Sequence, residues 1–173
     1  MRVAAHAHRM RFLTRRMCLA SGLAALLPAC GDFPRDAEDT LKSIRAGRPL
    51  RVGWSVAAPW VRAGAPEPGG LEPDLVRAFA ATLGARIEWR QASQEQLVEA
   101  VQQHAIDLLV AGLEESLPWS GRVGTTQPYV EYAGRKRVIA LPPSENALAL
   151  ALDRFLHERK AWIWARLQEE VQR

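Results

Sequence analysis

Residues 106–113 read IDLLVAGL, a nearly unbroken apolar run of strand length from Ile106 to Leu113. Such a run suits a strand covered on both faces, because a half-exposed strand would alternate apolar and polar residues. Immediately upstream, Ser93-Gln94-Glu95-Gln96 forms a capping box, and the helix it opens runs to about His104 with Leu97 and Val101 inward. Before that, Ala85–Arg90 (ARIEWR) is predicted as a strand. Glu72–Leu83 is predicted as an amphipathic helix, with Pro73 in its first turn, Leu75, Phe79 and Leu83 at helical spacing, and Gly84 as its stop. Leu50–Val56 (LRVGWSV) alternates as the first strand, preceded by a helix over Ala37–Ala46 and followed by a proline- and glycine-rich loop over Ala57–Gly70. Downstream come a polar stretch at Glu114–Gly124, a strand at Arg137–Leu141 stopped by Pro142 and Pro143, and a helix capped by Ser144 with a Leu148, Leu152, Phe155 stripe. A last helix carries Trp162, Ile163, Leu167 and Val171. The order β-α-β-α-β, then β-α-α, predicts an α/β fold, a single three-layer α/β/α lobe with helices on both faces of a parallel or mixed sheet.

The N-terminal residues follow a different logic. Arg2, Arg9, Arg11, Arg15 and Arg16 precede any acidic residue, and Met17–Ala29 is an apolar run of 13 residues. That run is too short for a spanning helix, which needs roughly 20 residues, and fits a signal-peptide core. Leu27-Pro28-Ala29-Cys30-Gly31 resembles a lipobox, which implies cleavage before Cys30 and lipidation of its sulfur. Residues 1–29 are therefore expected to be a lipoprotein signal peptide, 30–36 a tether and 37–173 one α/β domain. Thr14-Arg15-Arg16-Met17-Cys18-Leu19 also resembles a twin-arginine signal, and a general secretory signal with adjacent arginines remains an equal reading.

Export changes the meaning of the composition. The full chain has 23 basic and 19 acidic residues, but the signal removes five arginines and no acid, leaving 18 against 19. The excess positive charge thus belongs to the leader, and no nucleic-acid partner is expected. Cys18 leaves with the signal and Cys30 is committed to lipid, so no thiol remains for a disulfide, a zinc site or a nucleophile. His104 and His157 stand alone at predicted helix ends. Neither a GxSxG elbow, an HExxH helix nor a P-loop is present, and the chain is expected to be neither an enzyme nor a cofactor carrier. Glu72 and Asp74 read as helix-start carboxylates favouring the dipole, and Arg135-Lys136-Arg137 as a solvated basic edge.

Several segments in order resemble the extracellular solute-binding proteins of family 3, the receptors that deliver amino acids and similar solutes to ABC transporters. Leu50-Arg51-Val52-Gly53 resembles the family's opening strand. Gly70-Leu71-Glu72-Pro73-Asp74-Leu75 resembles its glycine-apolar-acid-apolar-acid-apolar signature, departing at Pro73. Leu83-Gly84-Ala85 with Ile87-Glu88-Trp89, then Ile106 to Leu113, then Val123 to Tyr129, continue the match over about 80 residues in register. The resemblance implies the first lobe of a two-lobed receptor. After Tyr129 the family crosses into a second lobe, whereas here Arg137–Leu141 already reads as the returning strand, so the second lobe is expected to be absent.

The resemblance also implies where a solute would bind. In amino-acid receptors of the family an arginine after the third strand grips the ligand carboxylate with two parallel hydrogen bonds. Trp119 takes that place here, and Arg122, three residues on, is either its substitute or a solvated loop residue. Gly112 and Glu114 match the small hydroxyl residues of the strand end, and Glu114 would repel a carboxylate. Trp54, Trp60, Trp119 and Tyr129 fall at or near cleft positions, and aromatics beside an acid suit an organic cation. The other reading is that these rings cover apolar surface and the glutamates are solvated. Two functions follow: a small-molecule binding module for a neutral or cationic solute, accessory to or reduced from an ABC-transporter receptor, or an interaction protein whose former cleft docks an envelope or membrane protein. In both, the protein is exported to the cell envelope and held to a membrane by its lipid. Cys30→Ser is expected to release the protein from membranes or leave its precursor uncleaved; fractionation showing a mature, membrane-bound Cys30→Ser product would contradict the anchor.

Overall fold

The apolar run of 106–113 lies in the middle of the sheet. The computed structural model describes residues 36–116, 118–119 and 121–172; the expected signal peptide, Cys30 and the tether up to residue 35 lie outside these. In chain order the elements are α1 (Thr40–Arg45), β1 (Leu50–Trp54), α2 (Leu71–Leu83), β2 (Ile87–Gln91), α3 (Gln94–Gln102), β3 (Leu108–Glu114), β4 (Gly124–Thr125), β5 (Val130–Tyr132), β6 (Arg135–Leu141), α4 (Asn146–Glu158) and α5 (Lys160–Val171). The sheet order is β2-β1-β3-β6-β4, with β5 also pairing β6. β1 runs parallel to β2 and β3, whereas β6 runs antiparallel to β3, β4 and β5.

Both faces of the central strands are covered, which is why β3 shows no polar alternation. Leu108 and Val110 point into a core shared with α1, α2, α4 and α5, together with Ile139 and Leu141 of β6. Leu109, Ala111 and Leu113 point the other way, against Leu97, Val98 and Val101 of α3, with Val138 and Ala140. This is the expected three-layer arrangement. α2 seats Leu75, Val76 and Phe79 on the larger core, where Phe79 meets Phe155 of α4 edge-on at 5.3 Å between ring centroids.

Two buried carboxylates and one half-buried one lock the ends of these elements. Asp107, fully buried ahead of β3, accepts hydrogen bonds from Arg48 at 3.0 and 3.1 Å and from the Arg51 side chain at 2.7 Å and backbone N–H at 2.8 Å. Glu145 accepts from the N–H groups of Glu38 (2.7 Å) and Thr40 (3.0 Å), satisfying orphan donors at the start of α1. Asp36 in turn accepts from the Ala147 N–H in the first turn of α4 at 3.1 and 3.2 Å. The expected Ser144 cap is thereby corrected. Ser144 takes a left-handed φ of 64° and Glu145 is the N-cap residue, without a side-chain cap of its own, so Asp36 supplies the oxygen from elsewhere in the chain. The Ser93–Gln96 capping box is present as read.

The second lobe is absent, and its place is closed tightly. β5 and β6 pair as Val130↔Arg137, Glu131↔Lys136 and Tyr132↔Arg135, leaving only Ala133 and Gly134 in the turn. Both have positive φ, 52° and 72°, the pattern of a type I′ turn whose twist matches the paired strands. β6 begins two residues earlier than the apolar pattern suggested, because its first turn-proximal pairs are charged. A Cβ on Gly134 would meet nothing within 4 Å, so substitution there tests backbone conformation alone. Gly134→Ala is expected to lose about 1 kcal/mol in urea unfolding, and Ala133→Asn to gain about 0.5–1 kcal/mol, since asparagine tolerates the left-handed region better.

Candidate functional site

In an open α/β sheet the binding crevice lies beyond the carboxyl ends of the parallel strands. At that edge of this sheet stand the loop after β1, the start of α2 and the end of β3. Gly70, with φ 105°, turns the chain into α2, and the N–H of Glu72 in its first turn donates to the Trp60 carbonyl at 3.0 Å. The Glu72 side chain faces inward and is fully buried. Its Oε2 accepts from the Gly112 N–H at 3.0 Å, and its Oε1 accepts from the Tyr129 hydroxyl at 2.6 Å. Gly112 is left-handed with φ 60°, and a Cβ there would lie 2.5 Å from Cδ1 of Trp60, so glycine is required both by conformation and by the indole's approach.

Trp60 is the centre of an aromatic and charged box. Tyr129 and Tyr132 meet it edge-on at 6.4 and 6.1 Å between centroids. The guanidinium of Arg137 lies over its face at 4.8 Å and donates to the Gly112 carbonyl at 2.6 Å. Glu114, the cross-strand partner of Arg137, approaches it at 3.4 Å and pairs with Arg135 at 2.7 Å. Thus Trp60, Gly112, Glu114 and Tyr129 are brought together. Trp60 and Tyr129 are only 4% and 5% exposed, so they present no apolar patch for a docked protein.

The other sequence candidates lie apart from this box. Trp54 is buried in the larger core, in register with Val110. Trp119 packs half-buried against the opposite core beside α3. Arg122 is exposed and donates to Gln102 of α3 at 2.9 Å, so it does not take over a carboxylate grip at the strand ends. Two participants escaped the sequence reading. Arg137 belongs to the box and not to a solvated edge, its side chain only 13% exposed. Glu72 is a buried structural acid and not a dipole-favouring surface group; its position in the glycine-apolar-acid signature was the available signal. Among the described residues no group of three or more His, Cys, Asp or Glu side chains is placed to hold a metal ion.

Burial pushes the Glu72 carboxyl up from 4.5 to about 7, against the opposing pull of the Gly112 and Tyr129 hydrogen bonds and the Arg137 charge. Burial first, and the neighbouring Glu72 second, push the Tyr129 phenol well above its usual value, so it remains a donor. The folded state holds a proton on Glu72 that the unfolded chain releases above pH 4.5, so this group's contribution to stability falls as pH rises from about 4.5 to about 7. The effect is worth roughly 3 kcal/mol across that window. Glu72→Gln is expected to flatten the decline: Tm measured from about pH 5 to 8 should fall more steeply in the wild type than in the variant. Parallel profiles would refute the assignment.

A family model described as bacterial extracellular solute-binding proteins, family 3, matches residues 50–170. Among solved structures, the arginine-bound form of domain 1 from TmArgBP is similar at 22% identity, over 69% of this chain and 97% of that one, with a TM-score of 0.60. AbpA, an amino acid ABC transporter substrate-binding protein from Streptococcus pneumoniae bound to L-arginine, is similar at 12% identity over 76% and 98%, with a TM-score of 0.65. A Salmonella typhimurium periplasmic binding protein with high arginine specificity aligns at 14% identity over 72% and 99%, with a TM-score of 0.61. No curated protein sequence matches. The structural likenesses, at these identities, concern the fold. With the family match covering both the strand-end crevice and the returning helices, the chain belongs to the bacterial extracellular solute-binding proteins of family 3, with the architecture of the first lobe alone.

Proposed function

We propose that this protein is an exported lipoprotein whose single lobe binds a small neutral or cationic organic solute weakly, as an accessory or reduced receptor of an ABC transporter. The observation that carries this reading is the corner at Trp60, where a guanidinium already rests on an indole face beside the Glu114 carboxylate. The chemistry favours a cationic or neutral side group over an acidic one, since Glu114 adds negative charge. Two of the similar structures named above hold arginine, and one of those is a lone domain 1 in an arginine-bound form. A single lobe cannot close over its ligand, so much of a bound solute remains wet and affinity is low. The lipid at Cys30 and the short tether after it would keep such a module beside a membrane transporter. Docking of a protein partner on the former cleft is disfavoured by the burial of Trp60 and Tyr129.

A thermal-shift comparison tests the solute reading. L-arginine and neutral amino acids at tenfold excess over Kd are expected to raise Tm by roughly 4 °C, because a ligand that binds only the native state stabilises it by mass action. L-glutamate is expected to give no shift. Glutamate producing the largest shift would overturn the proposal.

A further inference from the structure

The cation at Trp60 is supplied by the chain itself. Arg137 enters from β6, the strand that returns after the missing lobe, and its guanidinium covers the indole face at 4.8 Å. One amino group donates to the Gly112 carbonyl at 2.6 Å and lies 3.4 Å from Glu114. Every group that would greet an external guanidinium is therefore present and already engaged: a π face, a carbonyl acceptor and a carboxylate. The fit is incomplete, since Nε of Arg137 is buried and finds no hydrogen-bond partner among the described residues. A buried donor without an acceptor disfavours the occupied state relative to one in which the side chain swings to water. An open hollow of about 290 Å³, lined by Glu114, Glu115, Glu131, Arg135 and Lys136, adjoins Glu114 and offers a route for exchange.

We infer that Trp60, Glu114 and the Gly112 carbonyl form a guanidinium-binding subsite, held in this chain by Arg137, which an external guanidinium compound must displace in order to bind. The competition with an external solute rests on the binding role proposed above; the subsite itself does not. Arg137 then acts as a built-in competitor that lowers apparent affinity by the fraction of molecules in which it is seated.

Truncation of Arg137 followed by titration tests this. Arg137→Ala is expected to melt lower than the wild type, and millimolar ethylguanidinium is expected to restore part of that loss while leaving the wild type unshifted. Ethylammonium, lacking the planar fork, should restore less. L-arginine should bind the variant at least about tenfold more tightly than the wild type in calorimetry. Arg137→Gln, whose amide can still donate to Gly112, serves the same titrations if the alanine variant does not fold. Equal responses of variant and wild type, no response to ethylguanidinium in either variant, or an equal response to ethylammonium would each overturn the subsite. Restoration by ethylguanidinium without arginine binding in any form would uphold the subsite and refute the solute-binding role.

Discussion

The buried carboxyl of Glu72 ties together the segments on which the strand-end crevice depends. A polar group taken out of water must find partners inside, and Glu72 finds them on β3 through Gly112 and on the segment before β5 through Tyr129. Its own backbone N–H reaches the loop after β1 at Trp60. Four parts of the chain, distant in sequence, are therefore registered around one side chain. The position of Trp60 over Gly112, and hence the box around that indole, follows from this registration. Burial pushes this carboxyl up to about 7, so in mildly acid solution the registration is achieved without a charge in the core.

Loss of the second lobe changes what the crevice can be. In two-lobed receptors the ligand is enclosed when the lobes close. Here β5 and β6 are joined by a two-residue turn, and the surface that would face a second lobe is drawn inward. Trp60 and Tyr129 are covered by neighbouring rings and by Arg137, which resolves the exposure that removal of a lobe would otherwise create. Intramolecular packing thus covers the rings at this end of the sheet. The lobe is further secured by reciprocal capping, in which Asp36 serves α4 and Glu145 serves α1, so that the chain entering the domain is fixed to the helices that end it.

Much of the fold was legible from local pattern alone, because each pattern has a local physical cause. The uninterrupted apolar run of β3 follows from burial on both faces, the Ser93–Gln96 box from orphan N–H groups at a helix start, and the β-α alternation from a sheet layered by helices. β4 and β5 escaped because they are short, and the turn-proximal pairs of the β5–β6 hairpin are charged. Ser144 was read as a cap from its residue type; the oxygen that binds the first turn of α4 comes instead from Asp36, 111 residues away, and no local pattern encodes that.

The sequence by itself determined the order of the helices and of the longer strands, the family resemblance and the missing lobe, since all of these depend on which residues follow one another. Only the tertiary structure decided which candidates meet. Trp60, Gly112, Glu114 and Tyr129 converge, while Trp119 and Arg122 belong to the opposite layer beside α3. Tertiary structure likewise turned Arg137 inward and buried Glu72, although both are of residue types normally found in water. The physical reason is that burial of a charged or acidic side chain depends on partners contributed by other strands and loops, whose spacing along the chain bears no relation to their distance in space.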